Sequence, residues 1–279
     1  KQLFMKKILV PIDFSKPSEY AAKMAAKIAK KTSASITLIH LIELPSEIVD
    51  IYYGSRFSIP ESMLYLRKIK EKILKFKNNF FTEDMKVDYF IKLNNPFDGI
   101  RKYADKIDAD LIIMGSKGHS KFEEIIIGSN TEKIVRSSKI PVIVVKRDSK
   151  KFSLKNLVFA SNFKKDNKEV FIKFLDFANI FNSKIHLLRV NTPSQFENTF
   201  EAKQKIKDFI KEYNLLKYSI NIYDDTSIEK GIINFSREKK VDLIALSTHG
   251  RSGISHLFSR SVAKSLSEIA LKPIFTVKI

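Results

Sequence analysis

The residues best suited to chemistry lie in one glycine-rich stretch, Met114-Gly115-Ser116-Lys117-Gly118-His119, followed after nine residues from Gly118 by Gly128-Ser129-Asn130-Thr131. The stretch begins where the apolar run Leu111–Met114 ends and finishes where a helical pattern begins. Glycine at a strand end lets a ligand approach the backbone, and Gly118 has no Cβ to oppose a positive φ. A helix that starts at Gly128-Ser129 offers free amide N–H groups and the positive end of its dipole, a combination that suits phosphate oxygens. The hydroxyls of Ser129 and Thr131 add donors, and Lys117 and His119 add charge, which Glu123 and Glu124 in the same loop oppose. Neither G-x-G-x-x-G nor G-x-x-x-x-G-K-[ST] is present, and glycines alone also serve as plain turn residues. What precedes and follows the loop therefore decides its meaning.

Other chemistries find little support. With no cysteine there is no disulfide, thiolate metal site or cysteine nucleophile. The five histidines, His40, His119, His186, His249 and His256, share no catalytic motif, and no carboxylate pair or metal-site spacing accompanies them. His40 reads as a packed histidine. The net charge of +19 raises a nucleic-acid hypothesis, but it is spread, with 27 Lys/Arg and 17 Asp/Glu in residues 1–147 and 23 and 14 in the remainder. Around Lys68, Lys70, Lys72, Lys75 and Lys77 the apolar residues Leu66, Ile69, Ile73 and Phe76 recur at helical spacing, so a solvated lysine face on a core-packed helix is the better reading. No apolar run reaches the ~18 residues of a membrane span. The opening residues show no signal-peptide core, Met5 is a candidate natural start, and a cytoplasmic location is expected.

The elements that must position the loop occur twice. Lys6–Phe14 aligns with Lys155–Phe163 and Ser35–Leu41 with Lys184–Val190, both at an offset of 149 residues. Asp110–Met114 aligns with Asp242–Leu246 and Pro141–Lys146 with Pro273–Lys278, at an offset of 132. The first half thus carries 17 extra residues, placed around Pro45–Ser62. Two domains are expected, 1–147 and 153–279, with the boundary in the polar stretch Arg147–Ser153. Each half alternates strands and helices: strands at Ile8–Ile12, Ile36–Ile42, Val87–Leu93, Leu111–Met114 and Val142–Val145, and helices from Ser15-Lys16-Pro17 to about Lys31, at 61–80, at Pro96–Ile107 and at Ser129–Ser138. Helices near 165–181, 195–213 and 227–239 repeat the order. Such alternation predicts parallel strands in a doubly wound, Rossmann-like α/β sheet, with ligands beyond the strand C-termini where the winding reverses.

On Lys7-Ile8-Leu9-Val10-Pro11-Ile12-Asp13-Phe14-Ser15, Leu38-Ile39-His40-Leu41 and the G-x-x-G-(nine)-G-S loop, the chain resembles a tandem universal stress protein over both halves. The resemblance implies a strand order of 3-2-1-4-5 in each half. It also implies an intramolecular pseudo-dimer joined through Val142–Val145 and Ile274–Val277; a homodimer of the whole chain stays open. ATP-binding members of the family use this loop, which implies ATP as ligand and leaves magnesium open. By position, Pro11, Ile12 and Asp13 would line the adenosine and Leu41 would cover the adenine. Met114 and Gly115 would lie against base and ribose, and Gly118, His119, Gly128, Ser129, Asn130 and Thr131 would surround the phosphates. Asp13 as a turn-capping carboxylate and Met114 as a core methionine are compatible with those roles.

The second half departs from this pattern. Asp13 becomes Asn162, Gly115 becomes Ser247 and Gly128 becomes Arg260, while Gly118 is kept as Gly250 and Ser129 as Ser261. That half is either a scaffold or a different anion site built from Thr248, His249, Arg251 and Arg260; the scaffold is expected, with one nucleotide per chain. The expected function is an ATP-binding regulatory, stress-response module and no dedicated enzyme. The alternatives are a partner-binding stress protein without nucleotide, or a slow ATPase using His119.

Overall fold

A computed structural model describes residues 5–43, 59–116, 128–147, 153–248 and 272–278. The first half contributes β1 (Lys7–Pro11), α1 (Lys16–Thr32), β2 (Ser35–Ile42), α2 (Ile59–Phe80), β3 (Val87–Leu93), α3 (Pro96–Lys106), β4 (Leu111–Gly115), α4 (Ser129–Ser137) and β5 (Val142–Val145). The second contributes β6 (Asn156–Ala160), α5 (Lys168–Ile180), β7 (Lys184–Asn191), α6 (Thr199–Ile210), β8 (Tyr218–Asp224), α7 (Ile228–Glu238), β9 (Leu243–Thr248) and β10 (Ile274–Lys278). The segment expected to hold the extra first-half residues lies mostly outside the described ones.

The ten strands of the described residues join one sheet in the order β3-β2-β1-β4-β5-β10-β9-β6-β7-β8. Within each half the pairs are parallel and follow the 3-2-1-4-5 order. The halves meet where β10 runs antiparallel to β5, with Ile274 opposite Val144, Phe275 opposite Ile143 and Thr276 opposite Val142. A terminal strand of apolar residues would otherwise expose a sticky edge, and here each half covers the edge of the other. The intrachain pseudo-dimer is therefore a property of the sheet itself.

Strands with helices on both faces should be apolar throughout, and Ile8, Leu9 and Val10 of β1 are fully buried. One face packs α1, α2, α5 and α6, and the other α3, α4 and α7. On the first face, α1 approaches through Ala21, Ala22, Ala25 and Ala29, whereas α5 fills the same layer with Phe171, Phe174 and Phe177. Phe275 of β10 meets Phe174 and Phe177 at ring-centroid distances of 5.9 and 5.4 Å. In α2, Ile69, Ile73 and Phe76 are buried while Lys68, Lys70, Lys72 and Lys75 are exposed, so these lysines form a solvated face. Among the described residues no helix is long and apolar enough to cross a membrane.

One aspartate clamps each half. Asp110, just ahead of β4, accepts the Lys6 and Lys7 amides at 2.7 and 2.9 Å, and Asp242, just ahead of β9, accepts those of Lys155 and Asn156 at 2.8 and 2.9 Å. The entry into β1 or β6 is thereby tied to the strand beside it.

His186 is the buried titratable group of β7. One ring nitrogen, Nδ1, lies 2.9 Å from Ser219 Oγ, and Nε2 is buried with no partner among the described residues. Burial pushes its pKa below the ordinary imidazole value, and Lys184 and Lys239 push it further down. Because the folded pKa lies below the unfolded one, only the unfolded chain takes up this proton as pH falls below about 6.5. Stability measured by urea unfolding is expected to fall between pH 7 and 5, with part of that slope abolished in His186→Leu; an unchanged slope would show that His186 titrates alike in both states.

Candidate functional site

The order β2-β1-β4 places the winding reversal between β1 and β4, and the C-terminal edge there gathers most of the residues singled out above. Pro11 ends β1 and is followed by Ile12 and Asp13; Leu41 lies near the end of β2, and Met114 and Gly115 end β4. Ser129, Asn130 and Thr131 form the first turn of α4. Gly118 and His119 lie outside the described residues, as do Lys117, Glu123 and Glu124.

Asp13 caps the turn into α1. Its Oδ1 accepts the Ser15 amide at 3.0 Å and the Ser15 hydroxyl at 2.5 Å. Both bonds use the same oxygen, so Oδ2 has no hydrogen-bond partner among the described residues. Asn162 performs the same turn in the second half, its Oδ1 accepting from the Lys164 amide at 3.1 Å and from Asn167 Nδ2 at 2.9 Å. An amide thus suffices for the turn, and what Asp13 adds is a charge and a second carboxylate oxygen that the turn does not use.

His40 supports this edge from β2. Its Nδ1 lies 2.9 Å from the Ile12 carbonyl; a carbonyl only accepts, so Nδ1 carries the proton. Its ring packs on Phe14 at 4.8 Å. The ring holds the chain segment that carries Asp13, in keeping with a packed histidine.

Gly115 has a packing reason that the sequence did not show. A Cβ built there would stand 2.7 Å from the Pro17 carbonyl carbon and 2.9 Å from the Ser18 amide nitrogen, so the absence of a side chain is what allows α1 to begin against β4. In the second half Ser247 occupies this place, and the residues matching the first turn of α1 form a 3-10 turn, Lys165–Asn167, before α5 begins. Leu41 is fitted in the same manner: a Cβ on Gly99 of α3 would lie 2.6 Å from Leu41 Cδ2, and one on Gly231 of α7 would lie 2.4 Å from Cγ1 of Val190, the matching residue. Gly99 and Gly231, four positions past Asn95 and Ser227, were legible only as helix residues.

The start of α4 is anchored from two sides. Thr131 is buried and its hydroxyl donates to the Gly115 carbonyl at 2.9 Å, which couples the helix to the end of β4. The Gly128 amide donates to the Ser116 carbonyl at 2.6 Å, and Ser116 in turn donates to the Val145 carbonyl at 2.9 Å. The Gly128 amide is therefore engaged in holding the base of the loop, where the sequence suggested a free donor. As N-cap, Gly128 has no side chain to cap the helix. The amides of Ser129, Asn130 and Thr131 consequently have no partner among the described residues, and they carry the positive end of the α4 dipole.

A cleft of about 200 Å³ between the halves, lined by Met5, Ile140, Pro141, Phe177 and Phe275, opens beside Ala109 and Asp110. It faces the N-terminal end of β4, opposite the edge just described. Asp176 on its rim has a pKa raised by burial.

The fold and its edge define a class: tandem, doubly wound α/β units with an acidic strand end and an uncapped helix start at the reversal. The universal stress protein family model matches residues 5–146 and 153–278. The universal stress proteins MJ0531 and MJ0577 of Methanocaldococcus jannaschii are 32% and 33% identical over 146 and 154 residues, which span 52% and 51% of this chain and 85% and 95% of theirs. A universal stress protein from Archaeoglobus fulgidus shares the whole architecture, with 98% of each chain covered at a TM-score of 0.73 and 18% identity. The chain belongs to the universal stress protein family.

The Gly115 and Thr131 contacts can be tested without a ligand. Gly115→Ala is expected to destabilise the fold by about 1–3 kcal/mol, because its clash is with backbone. Thr131→Val should cost about 1 kcal/mol by removing one hydrogen bond. Urea unfolding checks both; a neutral Gly115→Ala would mean that α1 can shift freely from β4.

Proposed function

We propose that the chain is a nucleotide-binding regulatory stress protein that takes one ATP in its first half. The observation that carries this reading is the pairing of Asp13, whose Oδ2 has no partner among the described residues, with the uncapped start of α4, which Thr131 holds to the end of β4. A carboxylate acceptor suits ribose hydroxyls, and unpaired amides at a helix start suit phosphate oxygens. Pro11, Ile12, Asp13 and Leu41 would line the adenosine, Met114 and Gly115 the base and ribose, and Ser129, Asn130 and Thr131 the phosphates. Gly118 and His119 would complete the phosphate site from the loop that Gly128 closes. Thr131 would act through its amide, because its hydroxyl proton is committed to Gly115. Magnesium, where present, would sit on the phosphates and supply charge neutralisation.

The second half is read as a scaffold. Asn162 lacks the charge of Asp13, and the C-terminal edge of β7 is covered by its own chain. Asn191 Nδ2 donates to the Glu197 carbonyl at 3.0 Å, and Arg189 Nε lies 2.9 Å from a buried Glu197 carboxylate oxygen. The family resemblance supports ATP as the nucleotide, and regulation requires that ATP bind two states of the protein with different affinity.

Calorimetry is expected to give one ATP per chain. At a hundredfold excess over Kd, ATP should stabilise the fold by about 2.7 kcal/mol. Asp13→Asn should weaken ATP binding while leaving stability in its absence nearly unchanged, since Asn162 shows that an amide makes the turn. Gly128→Arg should abolish binding. Two equivalent sites, or none, would overturn the reading, and phosphate release lost with His119→Ala would convert it to a slow ATPase.

A further inference from the structure

The two halves differ at the seam between their central strands. In the second half β6 and β9 pair over four positions, from Leu157 opposite Leu243 to Ala160 opposite Leu246. In the first half β1 and β4 pair over only two, Ile8 opposite Leu111 and Leu9 opposite Ile112. The strands on either side do not stop early: β1 pairs with β2 up to Pro11 opposite Ile39, and β4 with β5 up to Gly115 opposite Val145. The shortening is confined to the reversal, beside the proposed site.

Backbone directions give the cause. Alternate residues of β1 turn their backbone groups toward β2 and toward β4. Ile12 donates to Ile39 of β2, and Lys7 accepts from Asp110 on the β4 side. Pro11, in phase with Lys7, would direct its amide at β4, and the acceptor in register is the Ile113 carbonyl. Proline has no N–H to give. In the second half the same place is Ala160, which can donate to β9, and there the ladder runs on.

We propose that Pro11, besides lining the adenosine, acts through the ladder: by withholding the one backbone donor that would extend the β1–β4 pairing, it leaves the Ile113 carbonyl without a partner from β1 at the ligand edge and assigns the nucleotide to that half. The inference rests on the nucleotide reading above. It accounts for why the two halves, built on one plan, differ in the rung nearest the crevice. It also joins Pro11 to Gly115 across the seam, one residue lacking a donor and the other lacking a side chain.

The test is to restore the donor. In Pro11→Ala, and in Pro11→Val as a β-favouring second variant, the new amide at position 11 is expected to exchange with deuterium as slowly as the Ala160 amide, as a laddered strand amide does. ATP affinity of the same variants should fall about tenfold or more, the size of a typical coupling between a structural equilibrium and a ligand. Fast exchange at position 11 would overturn the ladder argument. Slow exchange with unaltered ATP affinity would overturn the role assigned to Pro11 while leaving the nucleotide site standing. Wild-type protein that binds no ATP would instead remove the functional reading and this inference with it.

Discussion

A parallel sheet leaves its backbone groups no slack: each N–H and C=O between two strands must find a partner, and buried groups without one are costly. At the reversal, where the connections of neighbouring strands leave to opposite faces and open a crevice, a missing donor or a missing side chain sets which groups meet there, and the first half of this protein has both. Pro11 offers no amide toward β4, and Gly115 has no Cβ to stand between β4 and the start of α1. The remaining features of the edge depend on this arrangement. Asp13 follows directly from the end of β1, and α4 is fastened to the end of β4 by Thr131.

The duplication supplies an internal control, because what both halves keep is what folding requires. Both turns after the first strand put a phenylalanine in the left-handed region, with φ of 64° at Phe14 and 55° at Phe163. Such a conformation strains a bulky residue and persists only when its surroundings demand it. Both halves also keep the aspartate clamp ahead of the fourth strand and the glycine beneath Leu41 or Val190. Against that shared frame, the changes at 11, 13 and 115 stand out, since the described part of the second half keeps the strand order with Ala160, Asn162 and Ser247 in those places. Of these, Gly115 has a packing reason, whereas the charge of Asp13 is not needed for its turn.

Much of this was legible in the residues. The offsets of 149 and 132 gave two halves, the buried runs gave the strands, and alternation gave parallel pairing. The cap of α1 by Ser15 and the packed role of His40 were also readable from local chemistry. The clamps of Asp110 and Asp242 were not, because each joins residues more than 80 positions apart and leaves no local pattern. The same applies to the engagement of the Gly128 amide by Ser116 and to the fit of Gly115 against Pro17. A glycine that serves close packing and one that serves a ligand look alike in a sequence, and only the neighbour across the gap tells them apart.

The sheet also constrains how a signal could leave the site. β4 is the strand that links the proposed pocket to the rest of the molecule: it pairs with β5, and β5 pairs with β10 of the other half. Interiors this closely packed do not deform smoothly, so a displacement of β4 must be absorbed at its weakest boundary. With two rungs against four on the β5 side, the seam with β1 carries fewer backbone hydrogen bonds, and α1 packs across it onto β4. The start of α1 packs against β4 at Gly115, so Asp13, in the turn between β1 and α1, is held by both strands.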